Sequence, residues 1–166
     1  MAVFLVIMIV LLVVADQLVK QWAVDVLMPV KSMDFIHFGD FKIIDLTYLE
    51  NDGAIFGSMS GQKWFLIGFT SLVILAGIIV MFVLIKRSKL FDITMGLFIA
   101  GGIGNLIDRI RYGYVVDMFE IKLFRFAIFN VADICVTVAC VLMLVNIIFI
   151  EPKTEKAKQE AGGNAK

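Results

Sequence analysis

Two aspartates in this chain stand beside apolar residues and are separated by a short connection. Asp117 lies in Tyr-Val-Val-Asp-Met-Phe, and Asp133 lies in Phe-Asn-Val-Ala-Asp at the start of an apolar run. Two carboxyls in contact cannot both ionise cheaply, so one holds a proton while the other acts as a base. Such a pair can activate a water molecule against a peptide carbonyl without a metal or other cofactor. We therefore interpret Asp117 and Asp133 as a candidate catalytic pair.

Other interpretations of these acids stay open. Asp133 could cap a helix, where the dipole favours a carboxylate, and Asp117 alone could be a turn residue. A small transporter could use both as a proton or ion relay, together with Asp16 and Asp108. Transporter sites lie near the bilayer midplane, whereas these acids lie near one end of the apolar segments. A purely structural role leaves two costly carboxylates beside the membrane unexplained.

Other protease chemistries find less support in the residues. His37 is the only histidine, and the chain has no His-Glu-x-x-His, so a zinc protease is not indicated. A Ser–Lys dyad of Lys63 with a serine of Gly-Ser-Met-Ser-Gly stays open, although that segment is typical of a loop. Cys135 and Cys140 would point to different sides of a helix. They are expected to pack as small apolar residues rather than to form a disulfide or bind a metal.

The composition is that of a membrane protein. Of 166 residues, 61% are apolar and 18% charged, whereas the apolar share of soluble domains is about 45–50%. The 15 basic residues balance the 15 acidic ones, and no basic patch indicates a nucleic-acid partner. The first apolar run lacks a positively charged start, so we expect a retained span rather than a cleaved signal peptide.

Four segments are apolar enough to cross a bilayer, which takes about 20 residues. They cover residues 2–24, 64–85, 91–110 and 131–150, approximately. We expect residues 1–150 to form one four-helix membrane domain, followed by a polar tail at 151–166. The basic turn Lys86–Lys89 and the lysines of the tail favour a cytoplasmic location for both termini. Asp117 would then lie on the outer side.

The segment between the first two spans predicts a β-element, at residues 32–60, approximately. Phe41 to Leu49 partly alternates between apolar and polar residues, which is a strand pattern. Asn51-Asp52-Gly53 is typical of a turn, because glycine accepts a positive φ. We expect a small platform at the membrane surface, packed against the helices.

Polar residues are concentrated at the predicted outer ends of the helices. Asn105, Asp108 and Arg109 follow a stripe of small residues in the third span that would allow close helix packing. Asp16 and Lys20 have the spacing and order of a favourable intrahelical ion pair. They form either that pair alone or a border of the active site. Asn130, Asp133 and Thr137 would share one face of the fourth helix.

As a set, these motifs resemble the lipoprotein signal peptidases, the type II signal peptidases of bacteria, over nearly the whole chain. Met118 stands where many family members have phenylalanine, which leaves the chemistry untouched. The matching motifs are Asp16-Gln17-Leu18-Val19-Lys20, Asn51-Asp52-Gly53-Ala54-Ile55-Phe56, Gly101 to Arg109, Val115 to Phe119, and Phe129 to Asp133.

The resemblance implies an all-α integral membrane protein of four transmembrane helices with a small extracytoplasmic β-cradle. It implies an aspartic endopeptidase of the bacterial cytoplasmic (inner) membrane, with its site near the outer face. This enzyme would remove signal peptides from diacylglyceryl-modified prolipoproteins by cutting before the lipidated cysteine. Its partners would be these substrates and membrane lipids; we expect a monomer without cofactor, metal or nucleic acid.

The resemblance also assigns roles to individual residues. Asp117 and Asp133 would be the catalytic dyad. The residues that bind substrate or support the site would be Asp16, Lys20, Asn51, Gly53, Asn105, Asp108, Arg109 and Asn130.

Overall fold

The computed structural model describes residues 1–53, 61–84 and 88–150. This part of the chain is mostly helical, with four helices long and apolar enough to cross a membrane and one three-stranded sheet. The predicted tail at 151–166 and the serines of the candidate Ser–Lys dyad lie outside the described residues. An all-α class is too narrow for this fold, because the sheet includes residues 115–121, which the sequence predicts as a connection between the third and fourth spans.

The helices are numbered α1 to α4 in chain order. The first, α1, is longer than expected, because it continues through a π-helical turn at Ala23–Leu27 and a last turn at Met28–Val30. Ser88 caps α3 by accepting a hydrogen bond from the backbone N–H of Phe91, at 3.0 Å. The bounds are α1 Ala2–Trp22, α2 Lys63–Leu84, α3 Lys89–Arg111 and α4 Val131–Val145, the last followed by a π-helical turn at Asn146–Ile150.

The third helix, α3, is the centre of the bundle, since α1, α2 and α4 all pack against it. Glycines make this close approach possible. A Cβ at Gly104 would lie 2.5 Å from Oδ2 of Asp16 on α1 and 3.1 Å from Cβ of Ala132 on α4. A Cβ at Gly101 would overlap the carbonyl oxygen of Ala132. The small residues of α3 therefore bring the acid of α1 and the start of α4 to one place.

Replacing Gly101 by alanine is expected to destabilise the protein. The new Cβ meets backbone of α4, which cannot move aside as the end of a flexible side chain can. We expect a lower midpoint in thermal unfolding of detergent-solubilised protein, corresponding to about 1–3 kcal/mol of overpacking. Gly68→Ala on α2 is the matched control, because a Cβ there has nothing within 4 Å. This control should be neutral or stabilising by up to about 1 kcal/mol; equal midpoints for the two variants would contradict the packing argument.

The sheet has the order β1-β2-β3 and is antiparallel throughout. Its strands are β1 Ser32–Phe38, β2 Phe41–Asn51 and β3 Val115–Ile121. Gly39, with φ of 57°, forms the tight turn between β1 and β2. The third strand joins the end of α3 to the loop before α4, and it places Asp117 opposite Leu49 of β2.

The sheet lies at the end of the bundle where α1 and α3 end and where α2 and α4 begin. A buried apolar cluster attaches it there, with Ala23 and Leu27 of the α1 end packing with Leu46, Val116 and Met118 of the sheet. This attachment places β3 between the end of α3 and the start of α4, next to the polar residues that the sequence concentrates at these ends.

Candidate active site

Asp117 is buried on β3 and is held by two side-chain amides. Only 1% of the surface of Asp117 is exposed. Asn51 on β2 donates to Oδ2 at 2.9 Å, and Asn130 donates to Oδ1 at 2.6 Å. Burial raises the pKa of Asp117 to about 7, and the negative charge of Asp133 acts in the same direction against the opposing effect of the two amides. Near neutral pH this carboxyl can therefore hold a proton.

Asp133 lies in the first turn of α4, where it also caps the helix. Its Oδ2 accepts the backbone N–H of Asn130 at 3.2 Å, and the side chain of Asn130 accepts the backbone N–H of Asp133 at 2.9 Å. This reciprocal capping box fixes the carboxylate at the start of the helix. Oδ1 accepts a hydrogen bond from Asn105 on α3, at 2.7 Å. The capping interpretation and a place in the site therefore do not exclude each other.

Asn130 connects the two acids. Its side-chain NH₂ donates to Asp117 and also to Oδ1 of Asn105, at 3.1 Å, while its backbone N–H donates to Asp133. The residue is fully buried. One asparagine thus fixes both carboxylates relative to the end of α4.

Both acids line one cavity of about 430 Å³. Asn51, Asn105 and Arg109 contribute polar groups to its wall, and the rest is mostly apolar. Ile134 and Val138 of α4 also line the cavity, although 43% and 41% of their surfaces remain exposed on the helix. A cleft with a few convergent polar groups in an apolar wall is the usual form of a binding site. Here the cleft lies between the sheet and the outward flank of α4.

A buried ion cluster lies behind the cavity. Nζ of Lys20 on α1 is 3.0 Å from Asp16 and 2.9 Å from Asp108 on α3, and it donates to Oδ1 of Asn105 at 2.9 Å. Lys20 is only 3% exposed. Because Asn105 also donates to Asp133, the cluster is linked to the candidate dyad through one side chain.

The two carboxylates of this cluster also hold the backbone next to the candidate dyad. Oδ1 of Asp16 accepts the backbone N–H of Ala132 at 2.8 Å, one residue before Asp133. Oδ2 of Asp108 accepts the backbone N–H of Val116 at 3.2 Å, one residue before Asp117. Asp16 and Asp108 are thus placed to position the two segments that carry the acids. The ion pair of Asp16 and Lys20, left open by the sequence, is part of a larger network.

Arg109 and Asn51 hold the turn after β2. Arg109 donates to the carbonyl of Gly53 at 3.0 Å, and Oδ1 of Asn51 accepts the backbone N–H of Gly53 at 3.1 Å. Both side chains also face the cavity. Gly53 therefore contributes through its backbone, which the residue type alone could not indicate.

The chain matches the family model described as signal peptidase (SPase) II over residues 8–149. The chain belongs to the signal peptidase II family. It is 38% identical to the lipoprotein signal peptidase of Clostridium acetobutylicum over 146 residues, which cover 86% of this chain and 92% of that protein. It is 39% identical to the lipoprotein signal peptidase of Lactococcus lactis subsp. lactis over 141 residues, covering 82% and 87% of the two chains.

A solved structure shares the fold of this chain. A bacterial membrane enzyme determined by the in meso method at 1.9 Å resolution superposes with a TM-score of 0.76 at 26% identity, covering 89% of this chain and 94% of the other. Membership of this family and the four apolar helices identify a multi-pass bacterial membrane protein and a protease. None of these relatives supports the transporter alternative.

The residues singled out in the sequence converge in this network, while their catalytic and substrate-binding roles remain predictions. Gln17 was missed. Its side-chain NH₂ donates to Asp108 at 2.9 Å and to the carbonyl of Gly104 at 3.2 Å, and so connects α1 to α3. The signal that could have found it is its place beside Asp16 in an apolar helix, where a glutamine needs a partner.

Proposed function

We propose that this protein is an aspartic endopeptidase that removes signal peptides from prolipoproteins, with Asp117 and Asp133 as its catalytic dyad. The observation that carries the proposal is that Asn130 binds both carboxylates at the wall of one cavity. The names of the relatives supply the substrate class.

The chemistry follows from the different surroundings of the two acids. Asp117, whose pKa is raised to about 7, can share one proton with Asp133, and the pair titrates as a unit. The ionised member accepts a proton from a water molecule that attacks the scissile carbonyl carbon. The protonated member donates to the carbonyl oxygen, giving a tetrahedral intermediate, and proton transfer to the amine nitrogen then lets the C–N bond break. The amides of Asn51, Asn105 and Asn130 hold the carboxyl oxygens in place during these transfers.

We further propose that the substrate cysteine carries a diacylglyceryl group and that cleavage occurs immediately before it. Exposed apolar side chains of α4 continue into the cavity wall at Ile134 and Val138, so acyl chains could stay in the bilayer while the peptide reaches the acids. The sheet would hold the extended peptide as a cradle. The site would lie near the outer face of the inner membrane and both termini in the cytoplasm, as the basic turn at Lys86–Lys89 favours.

A synthetic prolipoprotein peptide tests this proposal. Purified enzyme in detergent should cut the diacylglyceryl-modified peptide immediately before its cysteine and leave the same peptide without lipid uncut, as followed by mass spectrometry. Equal cleavage of both peptides would contradict the lipid requirement. Absence of cleavage by a folded sample would contradict the enzymatic assignment.

The rate of this cleavage is expected to fall as the pH rises above about 7. The reaction needs one proton on the pair, and the raised pKa of Asp117 means that this proton is present below that pH and lost above it. The check is the pH profile of kcat for the lipidated peptide, with thermal unfolding measured at each pH as a control for stability. A rate that keeps rising to pH 9 in a stable protein would remove the protonated carboxyl from the mechanism.

A further inference from the structure

The strand register sorts the side chains of the sheet into two faces. One face is charged: Lys42 forms ion pairs with Asp34 and Asp45, and Lys122 pairs with Glu120. Lys42 lies opposite His37 of β1. A register shift beside Ile36 places Lys42 on the same face as Asp45. We call it the charged face.

The opposite face is apolar and belongs to the active-site cavity. Ile44 of β2 lies between Ile36 of β1 and Ile121 of β3, so these three side chains share that face. Ile121 and Asp117 are four residues apart on β3, and both line the cavity. We call it the cavity face.

Large apolar side chains continue to the end of the sheet that is farthest from the helices. Phe38 and Phe41 pair across the β1–β2 turn and are 74% and 61% exposed. The chain leaving β3 reaches the same end, where the N–H of Lys122 donates to the carbonyl of Ile43. It then exposes Leu123 and Phe124, at 51% and 59%. Phe38, Phe41, Leu123 and Phe124 are defined here as the distal rim.

The position of the cavity face indicates what covers the distal rim. Ile134 and Val138 of α4 line the cavity across from the sheet, and they belong to the exposed apolar flank of a membrane-spanning helix. The cavity face is thus continuous with a surface that contacts lipid, while the charged face points the other way. A contiguous group of exposed apolar side chains marks an interaction site, and aromatic rings are favoured at the boundary of a bilayer.

We propose that the distal rim inserts into the lipid leaflet at the active-site end of the bundle. The rings of Phe124, Phe126 and Phe129 contact one another in series, with centroids 6.0 Å and 6.1 Å apart, and the last two line the cavity. Insertion of the rim therefore fixes the depth of the cavity relative to the leaflet. The inference does not depend on the proposed cleavage reaction.

Spin labels on the full chain in phosphatidylcholine vesicles test this insertion. In a background carrying Cys135→Ala and Cys140→Ala, a nitroxide is attached at Phe38→Cys or at Phe124→Cys. Oxygen concentrates in lipid and a nickel chelate in water, so their collision rates with the label report its surroundings. At both positions we expect a ratio of oxygen to nickel collisions several-fold higher than at a label in water.

His37→Cys is the matched control, because His37 is exposed, lies next to Phe38 in sequence and is on the charged face. Its label should collide mainly with the nickel chelate. Circular dichroism and thermal unfolding establish that each labelled variant is folded. We expect them to be folded, because the labelled positions are exposed. Nickel-dominated collisions at Phe38→Cys or Phe124→Cys, matching those at His37→Cys, would overturn the insertion and leave the rim free for a protein partner.

Discussion

Asp117→Asn and Asp133→Asn are each expected to abolish cleavage of the lipidated peptide while the protein stays folded. An amide has nearly the shape of a carboxyl but can neither accept a proton from water nor deliver one to the carbonyl oxygen. Because the two acids act as a unit, replacing either one should lower kcat by at least about 10³-fold, nearly as much as replacing both. The double variant should therefore be no slower than the slower single variant.

The measurement is single-turnover cleavage with enzyme in excess, which separates chemistry from product release. Asp34→Asn is the matched control, because Asp34 is an aspartate of the charged face whose side chain is 53% exposed. It should cut at close to the unmodified rate. Thermal unfolding midpoints that agree within a few degrees for all variants would show that cleavage is lost through the chemistry and not through unfolding. Substantial residual cleavage by Asp117→Asn or Asp133→Asn would remove that residue from the dyad.

The sequence predicted the helices and the polar residues of the site better than it predicted the strand that carries Asp117. Long apolar spans are specified locally, by length and composition. Apolar and polar residues do not strictly alternate in Val115–Ile121, because β3 is buried on both sides of Asp117. This strand is specified by its pairing with β2. Such pairing over a long sequence separation leaves little local pattern.

The roles of individual polar residues were predictable only in part for the same reason. Spacing placed Asp16 and Lys20 on one face of α1, yet each also binds groups far along the chain, at Ala132 and Asp108. Gly53 contributes a carbonyl to Arg109, and backbone groups carry no signature in the sequence. Periodicity could thus nominate the helical residues of the site, and the family resemblance added Asn51 and Gly53. Three-dimensional contact decided which of these residues support one another.

The buried ion cluster explains how Asp117 and Asp133, the proposed dyad, are held without direct bonds to a cation. Asp16 and Asp108 hold the backbone before Asp133 and before Asp117, and Lys20 holds both of these supporting carboxylates. In an apolar bundle such charges are stable only when paired, because desolvation of each ion costs several kcal/mol. The stability of the bundle and the geometry of the site therefore depend on the same lysine.

Lys20→Met is accordingly expected to destabilise the protein strongly. Methionine has a similar length but leaves Asp16 and Asp108 buried without the cation they share, which should cost about 3–5 kcal/mol and lower the unfolding midpoint by about 10 °C or more. Thermal unfolding in detergent is the measurement. Lys42→Met is the matched control, because Lys42 also contacts two carboxylates but is 47% exposed. Its loss should lower the unfolding midpoint far less, because water already screens this ion pair.

The comparison of the two lysine variants decides whether the shared cation matters. Lys20 contacts both Asp16 and Asp108, and all three side chains are buried. A loss of stability in Lys20→Met no larger than that in Lys42→Met would show that the cation does not stabilise the bundle, and the cluster would no longer explain how the segments carrying Asp117 and Asp133 are held.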